Sequence, residues 1–237
     1  MTPAAGRRLL FFALSLLPLG CVSRPKQLAT ESFSFAPAVA FPPKTEGSKP
    51  TLVVRSVRVV PAFAGQDFVY RAADYRYERD PYSRFLASPE LLIRSTISDS
   101  LQGSGRFQAV AAWGSAIATH SSVEISVREL YGDFRHGQPA SAVIALRFLL
   151  VQSPGGNPLW ERTLLRRIPL RERSPSALMR GWNEGLRQIL AEAGPLLAEH
   201  AREADQAAQK AVEKAELPPT PKPAPSAGPA PAAPNGA

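Results

Sequence analysis

The chain has 237 residues, 44% hydrophobic and 20% charged, enough to bury one hydrophobic core with further segments attached. Its formal charge of +8, with arginine supplying 22 of 28 cations, suits an anionic surface of lipid headgroups, nucleic acid or an acidic protein, or else reflects an arginine-, alanine- and proline-rich genome. The single cysteine, Cys21, excludes an intrachain disulfide and any zinc cluster built on Cys-x-x-Cys pairs.

Residues 1–20 have the pattern of a secretion signal. Arg7 and Arg8 precede the apolar run "LLFFALSLL", which is too short to span a bilayer. Export from the cytoplasm argues against nucleic acid as the partner. Pro18, Leu19, Gly20 and Cys21 then resemble the lipobox of bacterial lipoproteins, where a small residue precedes a cysteine that becomes the lipidated N-terminus, although Pro18 stands where an aliphatic residue is usual. The resemblance implies a diacylglyceryl group on the sulfur, an acyl chain such as palmitate on the amine, and attachment to a membrane without a spanning helix. Cleavage before Cys21 removes Arg7 and Arg8 and lowers the charge from +8 to +6. Val22 replaces the aspartate that holds enteric lipoproteins at the inner membrane, which implies the outer membrane. The competing reading is an ordinary cleaved signal beside an incidental thiol, a liability in an oxidising compartment.

Residues 21–50 carry Pro25, Pro37, Pro42, Pro43 and Pro50 with no sustained periodicity and read as a lipidated N-terminus and flexible tether. A domain over residues 51–200 follows. "TLVVRSVRVV", residues 51–60, is β-branched, ends at Pro61 and reads as a central strand. "DFVYR" and "YRYER" around "AAD" read as a hairpin. Ser88, Pro89 and Glu90 start a helix whose apolar stripe is Ile93, Ile97 and Leu101, closed by Gly103 and Gly105. A short strand follows in "RFQAVAA". Then Val123, Ile125 and Val127 alternate with Glu124, Ser126 and Arg128, as in a half-buried strand. Two more strands, residues 141–153 and 158–170, flank the turn "PGGN". Ser174 and Pro175 open a second helix with its stripe at Leu178, Trp182, Leu186, Ile189, Leu190 and Ala193. Pro195 predicts a kink or break before a charged helical extension over 201–217. Residues 218–237, with eight prolines and six alanines, read as a disordered tail, a solvated spacer or a ligand for a proline-binding partner. The expected fold is an α+β two-layer sandwich: a mostly antiparallel sheet of five or six strands with two helices on it.

This block resembles the ABC-type transport auxiliary lipoprotein family. The matching features are a first strand ending Val59, Val60, Pro61, a strand with Val69, Tyr70 and Arg71, and an aromatic-to-proline entry to the first helix from Phe85 to Pro89. The helix end, with Leu101, Ser104, Gly105, Phe107 and Val110, completes them. Phe85 stands where many relatives carry tryptophan. The resemblance covers the domain and implies a non-enzymatic subunit accompanying MCE-type lipid transport, with an MCE-domain protein and an ABC permease and ATPase as partners.

Independent of that resemblance, the residues assemble no chemistry. His120, His136 and His200 are isolated, and no phosphate-binding glycine loop or nucleophile elbow occurs, so no cofactor, metal or nucleotide site is expected. "GDFRHG" sets Asp133 near His136, as an acid and base pair or, more simply, as a hairpin loop. Arg162, Arg166, Arg167, Arg171 and Arg173 form a basic run, with Arg162 and Arg166 on one sheet face and Arg167 on the other. They read as a docking surface for headgroups or acidic partner residues, or as solvated charges guarding a strand edge. Tyr70, Tyr75, Tyr77 and Phe85 read as an apolar groove for a lipid tail, or as packing beneath the first helix. Two functions follow: an accessory subunit docked on a lipid transporter, or a carrier that itself binds phospholipid or another small apolar ligand.

Overall fold

Eight strands and two helices follow one another in the computed structural model, which describes residues 29–36 and 48–216. The signal, Cys21, most of the tether and the proline-rich tail lie outside these residues.

The alternating strand forms the centre. In β6 (Ser121–Asp133) the side chains of Val123, Ile125 and Val127 are fully buried and pair with Leu150, Phe148 and Leu146 of β7 (Ser141–Gln152). A bulge between Val127 and Glu129 resets the phase, so Tyr131 and Asp133 turn to the opposite face. The other edge of β6 serves two strands in succession. β2 (Thr51–Val59) lies parallel to it along residues 122–127, and β3 (Asp67–Ala73) parallel at Gly132 and Asp133. Pro61, which cannot donate to the ladder, opens the 3-10 turn Pro61–Phe63 that separates them. β5 (Ala109–Ala112) pairs parallel with β2, and β4 (Arg76–Phe85) antiparallel with β3. β8 (Pro158–Pro169) pairs antiparallel with β7.

The fold is α+β as expected, but the sheet is mixed and has eight strands rather than a mostly antiparallel five or six. Hairpins carry local turn signals. The parallel pairs are made by long connections, such as the first helix between β4 and β5, which leave no such signal. The structure also differs within the expected tether: β1 (Glu31–Phe33) pairs parallel with Ser83, Arg84 and Phe85 of β4. Its aromatics explain why it docks, since Phe33 lies 5.1 Å from Phe68 and Phe35 stacks on Phe85 at 5.9 Å.

Helix α1 (Pro89–Gly103) starts as its sequence dictates. Ser88 Oγ accepts from Leu91 N–H, and Ile93, Ile97 and Leu101 are buried without residue. Helix α2 (Pro175–Glu216) runs through Pro195 without a break, so of the expected kink or break the break does not occur. Proline there removes one hydrogen bond at a cost of about 3 kcal/mol. Leu190, Ala193, Leu197, Ala198 and Ala201, all essentially inaccessible on either side of it, keep both halves seated. Two glycines let α2 approach the sheet. A Cβ on Gly181 would fall 2.5 Å from Ala142 Cβ, and one on Gly185 2.6 Å from Ile144 Cγ2. Between them Trp182, fully buried, donates through Nε1 to the carbonyls of Val143 at 3.1 Å and Tyr131 at 3.3 Å.

Candidate functional site: an arginine-rich end of the sheet

At one end of the sheet β3 turns into β4, β6 runs into the loop 134–140, and β8 gives way to α2. Asp133 organises this end. It closes β6 with a side chain only 2% exposed, so its charge needs partners. Arg135 supplies two: Nε donates to Oδ1 and Nη2 to Oδ2, each at 2.9 Å. Arg167 Nη1, from β8, donates to Oδ2 at 2.6 Å and to Ser141 Oγ at 3.3 Å. Arg135 also donates through Nη1 to Asp74 Oδ1 at 2.7 Å, tying the β3–β4 turn to this end, and Arg71 donates to the Asp74 carbonyl at 2.7 Å.

The neighbouring loop adds cations. Arg173 donates to the Arg135 carbonyl at 3.4 Å and lies 5.8 Å over the Phe134 ring. Arg180 pairs with Glu172 at 3.4 Å, and Arg171 borders a shallow cleft of about 220 Å³ with Ile168, Leu170 and Arg180. A second cleft of about 430 Å³ is lined by Asp133, Arg135, Gln138 and Arg167. Four guanidiniums (Arg71, Arg135, Arg167, Arg180) thus pair with three carboxylates, Asp74, Asp133 and Glu172, and Arg171 and Arg173 stand beside them with no carboxylate partner among the described residues. A buried carboxylate gripping two forks fixes their orientation and leaves their outer N–H groups, including those of the 45% exposed Arg167, facing solvent. Such a surface holds anions. The acid and base pair drawn between Asp133 and His136 does not form, since Asp133 accepts its side-chain hydrogen bonds from Arg135 and Arg167.

Burial alone would raise the Asp133 pKa, but the hydrogen bonds from Arg135 and Arg167 outweigh it and hold the carboxyl at about 2. A depressed folded pKa gives stability that is complete above the unfolded value of about 3.9 and is lost as pH falls toward 2. This contribution is about 2 kcal/mol. Acid unfolding followed by circular dichroism should therefore show a loss between about pH 4 and 2 that Asp133→Asn removes from the pH profile while lowering stability at neutral pH.

The basic run divides as its parity predicts. Arg162 and Arg166 point toward α2 and share Glu192, Arg162 at 3.1 Å, while Arg167 takes the other face. Arg171 and Arg173 lie past the strand end. The structure brings Arg167, Arg171 and Arg173 to the basic end and sets Arg162 and Arg166 apart. Arg71, Arg135 and Arg180, which complete that end, escape sequence reasoning because only the fold gathers them: their acceptors Asp74, Asp133 and Glu172 lie nearby in the chain, but the three segments are brought together by β3, β6 and α2, with Arg135 reaching Asp74 across the sheet.

The four aromatic residues do not converge. Phe85 is 3% exposed, lying 4.8 Å from Phe68 and 5.5 Å from Trp182 in the core. Tyr70 stacks on Phe134 at 5.0 Å and donates to Asp80 Oδ2 at 2.8 Å, and burial with that bond pushes its hydroxyl above the ordinary phenol range. Tyr77 is half-exposed, and Tyr75, at the tip of the β3–β4 hairpin, is 99% exposed. Among the described residues no three His, Cys, Asp or Glu side chains converge as a metal would require, and no helix is long and apolar enough to cross a membrane.

Residues 33–193 match the family model of the ABC-type transport auxiliary lipoprotein component. A Xanthomonas campestris protein of the DUF330 family superposes with a TM-score of 0.65 at 17% identity, covering 74% of this chain and 99% of its own. A second, uncharacterized protein gives 0.54 at 17% identity, covering 70% of this chain and 99% of its own. At these identities the likeness is one of fold. No curated protein matches the sequence.

Proposed function

The chain belongs to the family of ABC-type transport auxiliary lipoprotein components, and from that premise we propose that it is a non-enzymatic accessory subunit of an MCE-type lipid transport system, anchored through lipidated Cys21 on the periplasmic side of the outer membrane. Membership in a lipoprotein family associates it with an ABC transport system and with the cell envelope. The MCE assembly, the lipid cargo and the outer membrane are the further steps of the proposal, supported by the resemblances in its sequence.

The observation that carries the accessory role is the state of the aromatic residues. A carrier needs a concave apolar site that buries most of its ligand. Phe85 and Trp182 instead fill the space between sheet and α2, while Tyr75 and Tyr77 stand outside it. What the domain offers a partner is a rigid surface, and of the basic run it is Arg162 and Arg166, on the α2 side and apart from Arg167, Arg171 and Arg173, that form its charged part. ATP would be hydrolysed by the partner ATPase.

Affinity purification from detergent-extracted membranes tests this. An MCE-domain protein and a permease should co-purify after endogenous lipid has been stripped. Recovery of bound phospholipid with no such partner would establish the carrier instead.

A further inference from the structure

We propose that the arginine-rich end of the domain, together with the β3–β4 hairpin tip, is a membrane-facing surface that binds the anionic headgroups of the bilayer holding the anchor. The proposal rests on lipidation of Cys21 for its geometry.

The first support is the direction in which the chain enters the domain. β1 runs parallel to β4 with Glu31 opposite Ser83 and Phe33 opposite Phe85. β4 begins at Arg76, opposite Ala73, at the hairpin turn. Traced backward from Glu31, the polypeptide therefore heads toward the end that carries Asp74, Arg135 and Arg173. Seven residues separate Arg76 from Ser83, about 23 Å of strand. Eight residues join Cys21 to Ala29, a reach of at most about 29 Å. That reach exceeds the length of strand left between Ala29 and the tip, so a cysteine fixed at headgroup level can lie beside the hairpin tip and the arginines.

Charge is the second support. Arg171, Arg173 and Arg180 are exposed at this end, and the Asp133 network holds Arg135 and Arg167 beside them. The C-terminal part of α2 has the reverse sign. Residues 199–216 of α2 contain five carboxylates (Glu199, Glu203, Asp205, Glu213, Glu216) against Arg202, Lys210 and Lys214. A molecule so polarised turns its basic end to an anionic leaflet.

The third support is Tyr75. A fully solvated aromatic at a hairpin tip gains nothing from the fold, but at a membrane interface its ring enters the headgroup layer while its hydroxyl stays wet. Arg76 follows it directly.

The test uses the mature chain from residue 21 carrying Cys21→Ser, so that binding owes nothing to acylation, sedimented with phosphatidylcholine vesicles with or without phosphatidylglycerol. Only the anionic vesicles should bind it, and more weakly as salt rises. Combining Arg171→Glu, Arg173→Glu and Arg180→Glu should lower the binding constant at least about tenfold, and Tyr75→Ser about threefold. Circular dichroism checks that both variants remain folded. A control of equal charge change, Arg58→Glu with Arg128→Glu and Lys210→Glu, alters exposed sites elsewhere and should bind like the parent. Equal losses in the control, equal binding to neutral vesicles, or no binding by the parent would overturn the proposal. So would a triple variant that binds vesicles normally yet loses the transporter, which would assign the surface to an acidic protein. Because the unlipidated chain is used, failure here leaves the anchor to be judged separately by membrane fractionation.

Discussion

Trp182→Ala is expected to lower the stability of the domain by about 4 kcal/mol, a large share of what a single domain of this size has. The indole is the largest fully buried side chain and sits where β6, β7, β4 and α2 meet. It presents its edge to Phe68 at 4.9 Å and stacks on Phe85 at 5.5 Å. Removing it leaves a cavity that the closely seated helix cannot close, because Gly181 and Gly185 already bring α2 against Ala142 and Ile144. Urea unfolding of the mature chain should show the shift in midpoint. Trp182→Phe separates packing from hydrogen bonding: it keeps most of the buried area but deletes the donor to Tyr131 and Val143, and should cost about half as much. Equal stability of the alanine variant and the parent would contradict the packing described here.

Cys21→Ser is expected to abolish stable membrane attachment while leaving the domain folded. Each methylene of an acyl chain contributes about 0.8 kcal/mol on burial, so two or more chains hold a protein that no helix of the described residues could anchor. Ionic docking through the basic end is far weaker and is screened by salt. After a high-salt wash the serine variant should appear in the soluble envelope fraction and the parent in the membrane pellet. A serine variant that stays in the pellet through the wash would sink the lipoprotein reading.

Much of the core was legible where the physical cause is local. Ser88-Pro89 and Ser174-Pro175 mark both helix starts through capping and the missing proline N–H, and Ile93, Ile97 and Leu101 fall on the buried stripe that their spacing predicts. The alternation around Val123 marks β6 as a strand in the same way, but not its central place, which the sequence suggests for residues 51–60. What escaped depends on partners distant in sequence. β1 is three residues long and exists because Phe33 and Phe35 find Phe68 and Phe85. Pro195 is a local stop signal overridden by packing on both sides of it. Phe85 sits in "YSRFLAS", with no alternation to place it on a buried face, and reads as readily for a groove as for a core until Trp182 is placed against it. The basic site is the clearest case. A run of arginines within β8 was visible, but Arg167 meets Asp133 across 34 positions and Arg135 meets Asp74 across 61, and no local pattern announces either pairing.

The length of α2 gives the domain an axis. Its first turn lies at the arginine-rich end and its 42 residues extend about 63 Å to Glu216, beyond the strands that support its first half. If the arginines rest on the bilayer, the helix acts as a mast that carries its C-terminal end away from the surface to which Cys21 is tied. One polypeptide would then present contacts at two heights, a lipid-bound foot and a raised attachment point. Shortening α2 by whole turns would lower that point without touching the foot.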